Sequence, residues 1–212
     1  MTPDSIILDI DGTLWNSTPI VSDAWNQSLE LRSSLTFRFT PERLTHLFGH
    51  PMQEIADLSF PSLPPRERYA LLDDCMEREH AFLSACTQDL LYPGVADTVR
   101  KLSSYCPLFI VSNCQSGYIE LFLEKTGLAS CITDFECPGN TGLGKGLNIR
   151  LVMERNGLKA PVYVGDIESD RQAAAEAGIP FCHASYGFGS VEAPDYAVSS
   201  FPDLLTLFPR QI

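Results

Sequence analysis

The chain has 212 residues, 44% of them hydrophobic and 20% charged, which is enough apolar material for a sizeable core and too much for a disordered polymer. Fifteen basic residues against 27 acidic ones leave a formal charge of −12, which disfavours nucleic acid or an anionic membrane as the main partner. Seven cysteines without a C-x-x-C pair, no membrane-length apolar run and no basic-then-apolar leader together indicate a reduced, cytoplasmic setting.

In chain order, residues 6–8 form a short apolar strand. Between residues 16 and 88 the periodicity is helical throughout, over 21–31, 41–48, 52–58 and 65–85, with breaks at Gly49 and at the proline-rich stretch 61–65. From residue 91 onward, helical and strand patterns alternate. Helices are predicted over 93–104, 116–125, 147–155 and 171–177, the last three stopped by Gly127, Gly157 and Gly178. A last helix follows near Leu204. Strands are predicted over 108–111, 131–135, 162–164, 179–183 and 196–198. Apolar strands separated by helices imply a parallel sheet covered on both faces. The expected architecture is an α/β, Rossmann-like core built from residues 1–15 and 89–212, with an inserted α-helical cap over 16–88.

Ligands of open α/β sheets bind beyond the carboxyl ends of the strands, so the residues just past each strand carry the most information. After the first strand come Asp9 and Asp11, then Gly12, which permits a sharp turn. Alternation along a strand starts both carboxylates on one side. At an effective dielectric of about 20 and a separation of about 4 Å they repel by about 4 kcal/mol. Such a pair implies a cation, or a division of labour between nucleophile and acid. Ser112 and Asn113 follow the strand at 108–111, and Gly165, Asp166 and Asp170 follow the strand at 162–164. Lys145 lies in the turn G-L-G-K-G at the start of a helix. Residues 139–145 also satisfy G-x-x-x-x-G-K, but Gly146 stands where a nucleotide-binding P-loop needs a Ser or Thr hydroxyl for Mg²⁺.

D-I-D-G-T (9–13), I-V-S-N (110–113), Lys145 and G-D-I-E-S-D (165–170) stand in the order of the four motifs of the haloacid dehalogenase superfamily. The chain resembles the phosphatase branch of that superfamily over essentially its whole length, because the family also inserts a helical cap between the first two motifs. The resemblance implies that Asp9 attacks phosphorus to form an aspartyl-phosphate. Asp11 protonates the leaving oxygen and then activates water, with its pKa raised by the neighbouring carboxylate. Ser112 and the amide of Asn113 hold phosphate oxygens, and Lys145 neutralises charge on Asp9 and the phosphoryl group. Mg²⁺ is expected on Asp9, the backbone carbonyl of Asp11 and Asp166, with Asp170 orienting Lys145 or the metal's waters.

The expected substrate is a small phosphorylated metabolite. Asp11 disfavours carbon–halogen cleavage, since dehalogenases of the superfamily generally lack it. Phosphosugar mutases with this cap carry a His soon after the first motif, and residues 18–26 contain none. A catalytically quiet binding relative is the remaining alternative. The opening D-I-D-G-T-L-W-N-S-T-P, with Ala24, Asn26 and Leu29, and the segment F-G-H-P-M-Q-E-I (48–55) are most similar to phosphoglycolate phosphatases, although Asn16 stands where those enzymes usually have Asp. In the cap, Gly49 and His50 are the expected substrate-reading residues, with Arg66 and Arg68 as alternatives for an anionic substrate. His183, at a strand end, is expected to be structural.

Overall fold

A computed structural model describes residues 3–210 of the chain. Strand β1 (Ser5–Leu8) is buried along its whole length, as a central strand covered on both faces must be. Four helices follow, α1 (Thr18–Arg32), α2 (Pro41–Thr45), α3 (Met52–Ser59) and α4 (Pro65–Ala85). The alternating part then comprises α5 (Val95–Ser103), β2 (Leu108–Val111), α6 (Tyr118–Thr126), β3 (Asp134–Glu136), α7 (Pro138–Thr141), α8 (Lys145–Asn156), β4 (Pro161–Gly165), α9 (Glu168–Ala177), β5 (Phe181–Ala184), β6 (Tyr196–Val198) and α10 (Leu204–Leu207).

The strands form one parallel sheet in the order β3-β2-β1-β4-β5-β6. Leu8 lies opposite both Ile110 and Val164, so β1, β2 and β4 end level with one another. The residues that follow them therefore emerge on one rim. Along β1, Ile6 and Leu8 point into one apolar cluster and Ile7 into another. The second cluster is closed by Ile149 and Val152 of α8 and Ala173 and Ala174 of α9. The first is closed by α5 and α6, and it runs on into the helical segment through Trp25, Leu29 and Phe60.

The helical segment leaves and rejoins the sheet through two adjacent stretches of backbone. The Asn16 amide donates to the Leu90 carbonyl at 2.9 Å, and the Tyr92 amide to the Leu14 carbonyl at 3.0 Å. Asn16 stands just before Ser17, the N-cap of α1. The Asn16 side-chain oxygen accepts from the Thr18 amide at 3.2 Å and the Thr18 hydroxyl at 2.7 Å, a role that an amide fills without adding charge.

Several expected boundaries move, three of them for a reason visible in the local structure. The helix expected over 41–48 ends at Thr45, because the next residues tighten into a turn that reaches Gly49 at φ 85°. The strand expected over 131–135 becomes β3 at Asp134–Glu136, since a 3₁₀ turn at Ala129–Cys131 uses the preceding residues. Helix α9 starts at Glu168 rather than 171, because Asp170 accepts the amides of Asp166 and Ile167 and so caps it. No helix among the described residues is long and apolar enough to cross a membrane.

Leu8 is fully buried at the centre of this sheet, between β2 and β4. Leu8→Ala should cost about 3 kcal/mol, through lost transfer energy and a cavity that the flanking strands cannot collapse to fill. Urea denaturation checks this, with a lowered midpoint at unchanged slope.

Candidate active site

Just past β1 the Asp9 amide donates to the Val164 carbonyl at 2.9 Å, which fixes the direction of the following side chain. The Asp9 carboxylate is 3% exposed and accepts from Lys145 Nζ at 2.9 Å. Tyr163 lies beside it, its hydroxyl donating to the Val111 carbonyl at 2.6 Å and standing 3.4 Å from Asp9 Oδ1. Lys145 also donates to Asp170 Oδ1 at 2.6 Å. Asp170 Oδ2 accepts the amides of Asp166 and Ile167 at 3.1 and 3.3 Å, so both its oxygens are committed within the protein. Asp166, past β4, accepts from the Phe188 amide at 2.7 Å and from the Thr13 hydroxyl at 3.4 Å.

One oxygen from each of Asp9, Asp166 and Asp170 lies within 4.8 Å of the others. Three buried carboxylates against one ammonium leave an excess of two negative charges when all are ionised. Burial, and after it the charges of Asp170 and Asp9, push Asp166 well above the usual carboxylate range. Burial also raises Asp9 to about 6, against the pull of Lys145. Burial acts to lower the Lys145 ammonium, but Asp170 and Asp9 outweigh it and hold it well above its ordinary value. The site fits a hard divalent cation with oxygen ligands. Asp9 and Asp166 supply carboxylate oxygens, and Asp170 is already occupied by Lys145 and two amides. The backbone is seated closely against Asp166. A Cβ on Gly12 would stand 2.0 Å from Asp166 Oδ2, and one on Gly187 would stand 2.3 Å from Asp166 Cβ.

Asp11 is placed differently from the expectation that it shares a side with Asp9. The strand ends at Leu8, and Gly12 turns the chain at φ 85°. The Asp11 carboxylate is therefore directed to Trp15 Nε1 at 2.9 Å, Ser17 Oγ at 2.5 Å and the Tyr118 hydroxyl at 2.9 Å, all on Oδ1. Among the described residues none donates to Oδ2. The Asp11 side chain lies outside the cluster of Asp9, Asp166 and Asp170, so Asp9 feels Asp170 as its main like charge while still repelling Asp11. Burial pushes Asp11 up to about 7, opposed by the Ser17 and Tyr118 donors, while the charge of Asp9 adds a smaller rise. The neighbouring carboxylate is thus not the main cause.

A pocket lies over Asp9 and Asp11 and is bounded by Ser112 and Asn113 on the core side. The Ser112 hydroxyl faces Asp9 and helps to hold its pKa down. The Asn113 side-chain amide donates to the Gly49 carbonyl at 2.7 Å, which ties the helical segment to the rim. Gly49 lines the pocket, and a Cβ there would meet Ile167 Cδ1 at 2.1 Å. Phe48 packs edge-on against Phe188 at 6.2 Å. His50, expected beside Gly49, is not brought to the pocket. It sits at the head of α3, where its ring pairs with Glu54 one turn on at 3.2 Å. Arg68 is held by Asp57 at 2.6 Å and by the Phe60 and Leu63 carbonyls, and neither it nor Arg66 lines the pocket. His183, in β5, stands 3.2 Å from the Asp166 carbonyl and 3.3 Å from the Gly189 carbonyl, a structural place between the end of β4 and the loop after β5. The P-loop look-alike is ruled out by its packing: Lys145 is spent on Asp9 and Asp170, and Gly139 is pressed against the backbone of Ser116.

The family model for haloacid dehalogenase-like hydrolases matches residues 6–184. The chain belongs to that family. It is 29% identical to a phosphoglycolate phosphatase of Synechococcus elongatus and 27% identical to one of Aliivibrio fischeri, each alignment covering 95% of both proteins. In fold, it superposes on the crystal structure of a predicted phosphoglycolate phosphatase from Haemophilus somnus with a TM-score of 0.84, at 22% identity and covering 98% of both chains. The chain is a hydrolase of this family, similar to phosphoglycolate phosphatases along its whole length.

Residues absent from the sequence expectations also shape this hydrolase's site. Tyr118, Ser17 and Trp15 hold Asp11, Tyr163 lies under Asp9, and Glu79 and Gln115 line the pocket. Ser17 and Trp15 lie within six residues of Asp11, so the run D-G-T-L-W-N-S contained a local signal. The others come from distant elements and had none.

Folded-state pKa values near 6 and 7 for Asp9 and Asp11 exceed the ordinary 3.8, so the folded chain binds protons that the unfolded chain has released. Metal-free stability should therefore fall as pH rises from about 4 to 7, by about 4 kcal/mol through Asp11 alone. Melting temperatures in a chelator across this range check the slope, and a divalent cation should flatten it.

Proposed function

We propose that this hydrolase is a Mg²⁺-dependent phosphatase that cleaves small phosphomonoesters, with residues 16–88 acting as a cap over a core of residues 1–15 and 89–212. The observation that carries this reading is the separation of Asp9 and Asp11 into two environments within one pocket. Asp9 lies against an ammonium in the carboxylate cluster, whereas Asp11 is held by three neutral donors with a pKa of about 7.

Lys145 keeps Asp9 ionised, as a nucleophile requires, and balances charge as an anionic phosphoryl group approaches. An Asp9 oxygen forms a bond to phosphorus as the ester P–O bond breaks, giving an aspartyl-phosphate and an alcohol. Asp11, half protonated near neutral pH, gives its proton to the departing oxygen. The Asp11 carboxylate then takes a proton from water, whose oxygen attacks phosphorus and releases phosphate from Asp9. Trp15, Ser17 and Tyr118 fix the Asp11 carboxylate through both steps while leaving Oδ2 for the travelling proton. Ser112 and the Asn113 amide hold the phosphoryl oxygens. Asp9, Asp166 and the Asp11 carbonyl would hold Mg²⁺, which would supply positive charge to offset the carboxylates and polarise the phosphoryl group. The Asn113–Gly49 hydrogen bond and the Phe48–Phe188 contact are the points at which the cap would part to release product. Seven free cysteines support a reducing, cytoplasmic setting.

Turnover of an aryl phosphate should require Mg²⁺, cease in chelator, and fall at least about 10³-fold in Asp9→Asn. Asp11→Asn should lose about 10²–10⁴-fold. Equal background rates for wild type and Asp9→Asn would overturn the phosphatase reading.

A further inference from the structure

Glu79 is a carboxylate with no cation. It lies in α4, is 4% exposed, and lines the same pocket as Asp9 and Asp11. Its Oε2 accepts from Trp25 Nε1 at 2.8 Å and its Oε1 from Gln115 Nε2 at 3.2 Å. No lysine or arginine among the described residues forms an ion pair with it. Two neutral donors satisfy only half of a carboxylate's acceptor capacity, and a buried charge is costly unless something opposite completes it. As a bridge from Trp25 to Gln115, a glutamine would serve as well. What glutamate adds is an ionisable carboxyl lining the space above the phosphoryl site: burial raises it to about 7, against the Gln115 and Trp25 donors, so a cation or donor arriving opposite it draws out its negative charge. Beside Glu79 the pocket has an apolar wall from Trp25, Phe48, Met52 and Ile55.

We propose that Glu79 selects the leaving alcohol: this enzyme takes short phosphomonoesters whose alcohol carries an ammonium or hydroxyl donor, and discriminates against those carrying a carboxylate. The proposal rests on the phosphatase reading and narrows its substrate class. An ammonium or hydroxyl fills the vacant lone pairs of Glu79. A second carboxylate would face Glu79 and Asp11 together in a buried site, with Lys145 already committed to Asp9 and Asp170.

Three two-carbon esters that differ only at the distal group separate the possibilities: 2-aminoethyl phosphate, 2-hydroxyethyl phosphate and phosphoglycolate. Wild-type kcat/KM should be at least about tenfold higher for the first two than for phosphoglycolate, the size of effect one misplaced polar contact produces. Glu79→Gln, which keeps acceptor and donor for Trp25 and Gln115 but removes the charge, should shrink that gap mainly through KM. Trp25→Phe, which removes a hydrogen bond but keeps the charge, should preserve the order. Calorimetric titration of the same esters into Mg²⁺-loaded Asp9→Asn protein should rank affinities identically. Wild-type preference for phosphoglycolate overturns the proposal, as does a ratio that folded Glu79→Gln leaves unmoved. If Glu79→Gln fails to fold, the wild-type ranking decides. Esters that bind in the expected order without any turnover would overturn the phosphatase reading and leave the role of Glu79 standing; no binding at all would overturn both.

Discussion

The site depends on one buried ammonium held between two carboxylates. Lys145 bridges Asp9 and Asp170 at 2.9 and 2.6 Å, with both side chains and its own nearly excluded from water. Removing one partner from such a group costs several kcal/mol, because it leaves a charge uncompensated in a medium that solvates it poorly. The arrangement would fail without the register of the sheet. Leu8 level with Ile110 and Val164 delivers Asp9, Ser112 and Asp166 to the same rim, and α8 begins at the residue whose side chain must reach them. Asp170 completes the set from the first turn of α9, one oxygen on Lys145 and the other on the backbone that precedes its helix. A single aspartate thus couples the cap of a helix to the orientation of the lysine.

Close backbone approach is the second requirement. Gly12 and Gly187 lie so near Asp166 that any side chain there would displace it. Tight seating keeps Asp166 within reach of Asp9 although their charges repel, and it does so without a neutralising residue of its own. The excess charge is what suits the cluster to a hard cation. In the metal-free protein burial, and after it the charges of Asp170 and Asp9, hold Asp166 well above the usual carboxylate range.

Much of this was legible along the chain. The alternation after residue 91, the purely helical periodicity between 16 and 88 and the glycines closing α6, α8 and α9 gave the architecture, because each is a local signal. The residues at strand ends were legible because a parallel sheet has only one rim for ligands. The direction of Asp11 was not, since it depends on where β1 stops and on Tyr118, 107 residues away. Helical periodicity could not tell which way His50 faces, and an i,i+4 pair with Glu54 decided it. Glu79 was invisible for the same reason as Tyr118. A glutamate on an amphipathic helix reads as a solvated residue, and only the packing of α4 over the rim turns it inward.

Two carboxylates one residue apart in the sequence therefore end in unlike surroundings. Asp9 meets a lysine and belongs to an acidic cluster. Asp11 meets an indole, two hydroxyls and a hydrophobic wall, so burial rather than repulsion sets its acidity. Unlike surroundings suit two acids to different tasks, which is the ground for the roles proposed for Asp9 and Asp11. The turn at Gly12 is what makes that division possible, because a continued strand would have set both groups on the same face. Tyr118 completes it from the far side: burial and the charge of Asp11 hold its hydroxyl protonated, so it can only donate to Asp11 and never competes for the proton.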